Sequence, residues 1–194
     1  MTNFEVEDAL KSMEILVDTR EQPTARARER FKLFSCPYRR VKLDYGDYAV
    51  NCTLPNGKLL YDSEQIYPLV AIERKMNLDE LAMCFCKERK RFEAEFIRAK
   101  EHGGKIYLIV ENASWENLIA GKYRSKFNPN AFLASILAWE ARYGLQLFFC
   151  KSETTGKLIY EILYRELKEY LERRASEDDG IQGQRVCEAE QKDS

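Results

Sequence analysis

The chain has 194 residues, a length that favours one domain plus a tail, and its 45% apolar content with 10 Phe and 11 Tyr can bury a substantial core. A single histidine, His102, argues against Cys/His zinc sites and serine–histidine triads, and the six cysteines (only Cys84 and Cys86 closely spaced, as C-x-C) read as reduced thiols, so any metal here is a hard cation held by oxygen. The net charge of −1 conceals a basic front, eight Lys/Arg against Glu21 and Glu29 over residues 20–42, and an acidic tail, six acids against Arg185 and Lys192 over residues 175–194. Residues 1–10 carry Glu5, Glu7 and Asp8 without an apolar signal segment, and no apolar run reaches membrane-spanning length. A cytoplasmic protein with no membrane association is the expectation.

In chain order, residues 14–17 (Glu-Ile-Leu-Val) predict a first strand with Asp18 at its mouth, and residues 24–34 a helix stopped by Cys36-Pro37. Alternation over 38–43, a turn at Gly46, a strand over 48–52, a hairpin turn at Leu54-Pro-Asn-Gly57 and a return strand over 58–62 together predict an antiparallel meander. Residues 69–72 feed Glu73-Arg-Lys75 as a buried strand, and Asn77 caps a helix through Leu78 and Leu81. There follow a helix over 87–102 closed by Gly103-Gly104, a central strand over 105–111 and a short helix over 114–120. A longer helix over 129–143 ends at Gly144, with a last strand over 145–150 and a last helix over 155–174. The sum is an α/β chain with a mixed central sheet flanked by helices. Residues 1–12 read as an N-terminal lead, 13–174 as the domain, and 175–194 as an acidic, disordered tail.

Asp47, after Gly46, is followed 26 positions later by Glu73 and then Lys75. Residues two apart in a strand share a face, so Glu73 and Lys75 project together from the end of theirs, where Asp47 can meet them. Two carboxylates can hold Mg²⁺ or Mn²⁺ with water in the remaining positions, and a lysine can orient the attacking water or neutralise charge on a phosphate. This is the acid…acid-x-Lys arrangement of restriction-endonuclease-like nucleases. The same pair could instead be a surface ion pair.

Three further motifs stand in order: Val17-Asp-Thr-Arg-Glu21, Gly46-Asp-Tyr48, and Glu73-Arg-Lys75 with Asp79. Together they resemble the nuclease domain of the XPF family of structure-specific endonucleases, over about residues 14–170. The resemblance implies a restriction-endonuclease-like core and a Mg²⁺- or Mn²⁺-dependent endodeoxyribonuclease acting on branched or otherwise structured DNA in repair or recombination. It implies Asp18, Asp47 and Glu73 as metal-binding acids, Asp47 and Glu73 the main ligands and Asp18 a further acid of the site, with Lys75 on the water or phosphate and Asp79 completing the acidic cluster. Arg20 and Arg74 would contact phosphate or brace the carboxylates, with Glu21 as their partner. Arg91-Phe92 with Glu95 matches the Arg-aromatic stretch after the motif, so Arg91 is a candidate phosphate contact.

Lys122, Arg124 and Lys126 form a candidate DNA-contacting loop, near aromatics (Tyr45, Tyr48, Tyr123, Phe127) able to stack on splayed bases. Family members usually carry a helix-hairpin-helix region after this domain and dimerise through its late helices. No such hairpin motif is seen here, so a stand-alone form is expected, a homodimer or partnered through residues 130–143 and 158–170 and nucleoid-associated in a prokaryote. The alternative is a non-catalytic DNA-binding or scaffold module of the same fold, from which part of the Glu-Arg-Lys-x-x-x-Asp run would be missing.

Overall fold

The computed structural model describes residues 1–190, with side chains through 177. Its elements are α1 (Asn3–Lys11), β1 (Glu14–Asp18), α2 (Ala25–Phe31), β2 (Tyr38–Val41), β3 (Tyr48–Asn51), β4 (Val70–Lys75), α3 (Leu78–Cys86), α4 (Arg89–Glu101), β5 (Lys105–Glu111), α5 (Trp115–Ile119), α6 (Pro129–Tyr143), β6 (Gln146–Cys150) and α7 (Thr155–Glu190). The strands form one mixed six-stranded sheet in the order β2-β1-β3-β4-β5-β6. Strands β4, β5 and β6 run parallel, as helical crossovers require, while β3 is antiparallel to both β1 and β4. No described helix is long and apolar enough to cross a membrane.

Helices cover both faces, and strand alternation sorts side chains between them. Ile15, Val17, Tyr48, Ile72 and Ile109 pack under α1, α2 and α7 with Val6, Phe31 and Leu163. Ala71, Leu108 and Val110 point the other way, into an aromatic layer of Phe85, Phe92, Phe96, Phe132 and Trp139 from α3, α4 and α6. The local signals behind these elements are plain. Asn77 accepts from Glu80 N to cap α3, Asn128 caps α6 with Pro129 behind it, and Gly144 ends α6 in the left-handed region.

The antiparallel meander is corrected in two places. Strand β2 does not pair with β3: β1 lies between them, and β2 runs parallel to β1 because α2 carries the chain back over the sheet before β2 starts. Residues 58–62 form no return strand: beyond the Leu54–Gly57 turn only one bridge, Thr53 with Leu59, persists. The Asn51 side chain takes the place of a strand partner, accepting from Tyr61 N at 2.9 Å and donating to its carbonyl at 3.2 Å. The lead is also structured. Thr2 and Glu5 make a reciprocal capping box that starts α1, and Val6 and Ala9 pack against α7. Of the acidic tail expected over residues 175–194, α7 takes in the part up to Glu190, and residues 191–194 lie outside the described residues.

One glycine fixes the path into the site. Gly46 has φ +75°, and a Cβ there would stand 2.7 Å from Ala71 Cβ and 3.3 Å from the Ile72 carbonyl oxygen. Gly46→Ala is therefore expected to destabilise the fold by about 2 kcal/mol, from backbone strain added to a clash with a neighbouring strand. A urea midpoint unchanged by this substitution would contradict the argument.

Candidate active site

The site lies where β4 leaves the sheet. Glu73 and Lys75 point to the α3/α4 face, and the Lys75 ammonium stands 2.5 Å from Glu73 Oε1 and 5.0 Å from the Phe92 ring centre. The side chains of the pair are only 12% (Lys75) and 8% (Glu73) exposed, so this is not a surface ion pair. Asp47 is pinned between two strands: its N–H donates to the Ile72 carbonyl and its own carbonyl accepts from Asp18 N, both at 2.8 Å. Its Oδ2 accepts from Arg74 N at 2.8 Å, and its carboxylate lies within electrostatic reach of Glu73 and Lys75.

Glu95 of α4 is a further acid of this group. It faces Asp47 and Glu73, reaches Gly46 N at 3.5 Å, and is approached by Arg20 and Lys75. Sequence reading named Glu95 only beside Arg91-Phe92. Its signal was position: three residues after buried Phe92 and one before buried Phe96, it sits beside the inward face of α4.

Three carboxylates gathered in a partly dry site resist ionising together. Burial, then the neighbouring Glu73, pushes the Asp47 carboxyl up to about 8. Burial also raises Glu73, against the pull of Lys75, and raises Glu95, against the pull of Arg20. Burial disfavours the Lys75 cation, but Glu73 and Asp47 outweigh it and hold the ammonium charged. Such a set has unmet demand for positive charge and offers only oxygen donors, which suits a hard divalent ion. No three His, Cys, Asp or Glu side chains among the described residues stand close enough to enclose a metal. Asp47 and Glu73 are the acids of this group that could hold such an ion.

The remaining predicted residues separate into other tasks. Asp18 is fully buried and all its acceptor capacity is spent: Oδ1 takes Arg20 N at 2.7 Å and Nε at 2.6 Å, and Oδ2 takes Leu43 N at 2.7 Å and Arg20 Nη2 at 3.2 Å. In this arrangement Asp18 holds Arg20 at the rim of the site. Arg74 lies on the opposite face of β4, 3.5 Å from both Glu21 and Glu111. Arg30 of α2 completes that buried cluster, at 2.8 Å from Glu21 and 3.3 Å from Glu111, with the Tyr48 hydroxyl bonded to both Arg30 and Glu21 at 2.9 Å. The cluster backs the site through the Arg74 N–H that holds Asp47. Arg30 and Glu111 carried no sequence signal, being ordinary charges at the ends of a helix and a strand.

Asp79 does not join the acidic group. It accepts from Arg124 N at 2.7 Å and Ser125 N at 2.8 Å and pairs with Arg124 Nε at 3.2 Å, so it anchors the 122–128 loop. Arg91 is exposed and paired with Glu88 one turn away. Lys122, Arg124 and Lys126 all stand exposed on the loop.

An ERCC4 domain model matches residues 17–162, most of the chain. The chain belongs to the ERCC4 domain family. The ERCC4 match holds all three motifs, from Val17 through Asp79. Among solved structures this ERCC4 domain is similar to XPF from Aeropyrum pernix, with a TM-score of 0.54 and 21% identity over 79% of this chain and 61% of that one. It is similar also to the same XPF in complex with DNA, with a TM-score of 0.53 and 22% identity over 80% of this chain and 65% of that one. The ERCC4 domain thus spans less than two thirds of either structure, and the likeness is one of fold. No curated protein matches it.

Proposed function

We propose that this ERCC4 domain is a metal-dependent DNA endonuclease that hydrolyses phosphodiesters on branched or otherwise structured DNA in repair or recombination. The observation that carries the reading is the convergence of Asp47, Glu73 and Glu95 with the Lys75 ammonium at one strand end. The XPF of similar fold, caught in complex with DNA, supports the substrate. Asp47 and Glu73 would hold Mg²⁺ or Mn²⁺, which when bound supplies Lewis acidity and lowers the pKa of a coordinated water. Lys75, a fixed cation between Glu73 and the Phe92 face, offsets charge on the phosphate as water attacks and the sugar oxygen leaves. Glu95 and Arg20 bracket the same opening, one able to accept a proton and the other to meet a phosphate oxygen. The same reading includes association through the late helices, where Leu137 of α6 is 48% exposed.

A cleavage panel of flap, fork, four-way junction and plain duplex tests this. Cutting by the wild type in Mg²⁺ or Mn²⁺, stopped by chelator, is the expected result. No cutting of any substrate in either metal, or equal cutting by Asp47→Ala, would overturn the reading in favour of a DNA-binding scaffold.

A further inference from the structure

Starting at Asp79, four residues after Lys75, α3 and the 122–128 loop enclose an open cleft of about 770 Å³, within the size range of small-ligand sites. On α3 its wall is made by residues 79, 82, 83 and 86, one face of the helix, so the cleft leads away from β4 for about 10 Å at the helical rise. The floor is apolar: Met83 is 46% exposed, Cys86 is exposed, and Phe127 packs on Phe132 at 5.1 Å. The rim is cationic, with Lys87, Arg124 and Lys126. The one acid in the lining, Asp79, is already bound to Arg124, whereas Lys87 and Lys126 have no side-chain partner among the described residues.

An apolar floor under unpaired cations suits a ligand that is flat and apolar on one side and anionic on the other. A nucleotide has this form, but only when its base is unpaired, because a duplex hides base faces in the stack. We propose that this cleft seats an unpaired nucleotide of the DNA strand beside the scissile phosphate, its base on Met83 and Phe127 and its phosphates between Lys87 and Lys126. The inference rests on the nuclease reading and adds to it where the unpaired strand lies. It also gives Asp79 a role as a positioning residue, which holds the loop that forms one wall.

Cys86 reports on the cleft directly. Its alkylation by N-ethylmaleimide, followed by mass spectrometry in chelator, is expected to slow about tenfold under saturating single-stranded oligothymidylate and to be unaffected by blunt duplex. The Lys87→Ala/Lys126→Ala double variant is expected to lower the slope of log affinity against log salt for the single strand by about 1.4, the loss of two phosphate contacts. Both lysines are exposed, so the variant should melt as the wild type does. Unprotected Cys86, or an unchanged salt slope, in a wild-type protein that cuts the panel overturns the cleft and leaves the nuclease reading standing. Protection of Cys86 in a protein that cuts nothing supports the cleft while removing the nuclease reading.

Discussion

Asp47→Asn is expected to lower DNA cleavage by about 10³-fold while leaving the domain folded. The amide oxygen of asparagine can still accept the Arg74 N–H, so the link between β3 and β4 survives and only the charge that would hold a divalent ion is lost. The same substitution should alter stability in a pH-dependent way. Burial and Glu73 raise the Asp47 carboxyl to about 8 in the folded protein, far above its unfolded value. A carboxyl raised on folding stabilises the fold fully at low pH and loses that contribution as pH rises through about 8. In chelator, the wild-type melting temperature should therefore fall more steeply from about pH 4 to pH 8 than that of Asp47→Asn, and Mg²⁺ should restore much of the loss to the wild type alone. Parallel pH profiles for the two proteins, or a variant that still cuts within tenfold of wild type, would show that Asp47 is not at the centre of the site.

Arg30→Met should give the largest loss of stability. Arg30 is 5% exposed and stands between Glu21 and Glu111, so its removal leaves Arg74, among the described residues, as the one cation paired with both the largely buried Glu21 and the buried Glu111. Breaking one side of a buried pair costs about 3–5 kcal/mol, and for a domain of this size that is a fall of about 10 °C in melting temperature. Cleavage should fall with it, since Arg74 is drawn toward the freed carboxylates and its N–H fixes Asp47. Lys32→Met is the control: its pair with Glu29 is about 70% exposed on both sides, and exposed pairs are screened by water. Similar melting shifts for the two variants would mean that the buried cluster does not hold the fold together.

Legibility depended on the distance over which each interaction acts. The strand leading to Glu73 and Lys75, the Asn77 cap and the Gly144 stop depend on neighbours a few residues away, and each stands where local reading placed it. The neighbour of β2, not its direction, departs from the expected meander: alternation marks a strand but says nothing of its partner, and β1 lies between β2 and β3. The missing return strand shows the same limit: a turn signal at residues 54–57 does not oblige the chain beyond it to pair when a side chain such as Asn51 supplies the bonds.

By itself the sequence determined which side chains were on offer: carboxylates in three short motifs, a lysine two residues from an acid, and a span from Val17 that matches the ERCC4 domain. Period-two geometry then made Glu73 and Lys75 neighbours whatever the rest of the fold became. Only the tertiary structure decided which charges share a site. It sent Asp79 to the 122–128 loop, locked Asp18 to Arg20, brought Glu95 in from α4, and joined Arg30 to Glu111 across 81 residues. Charged side chains carry no fixed address along the chain; burial makes an unpaired charge so costly that packing, not sequence spacing, assigns its partners.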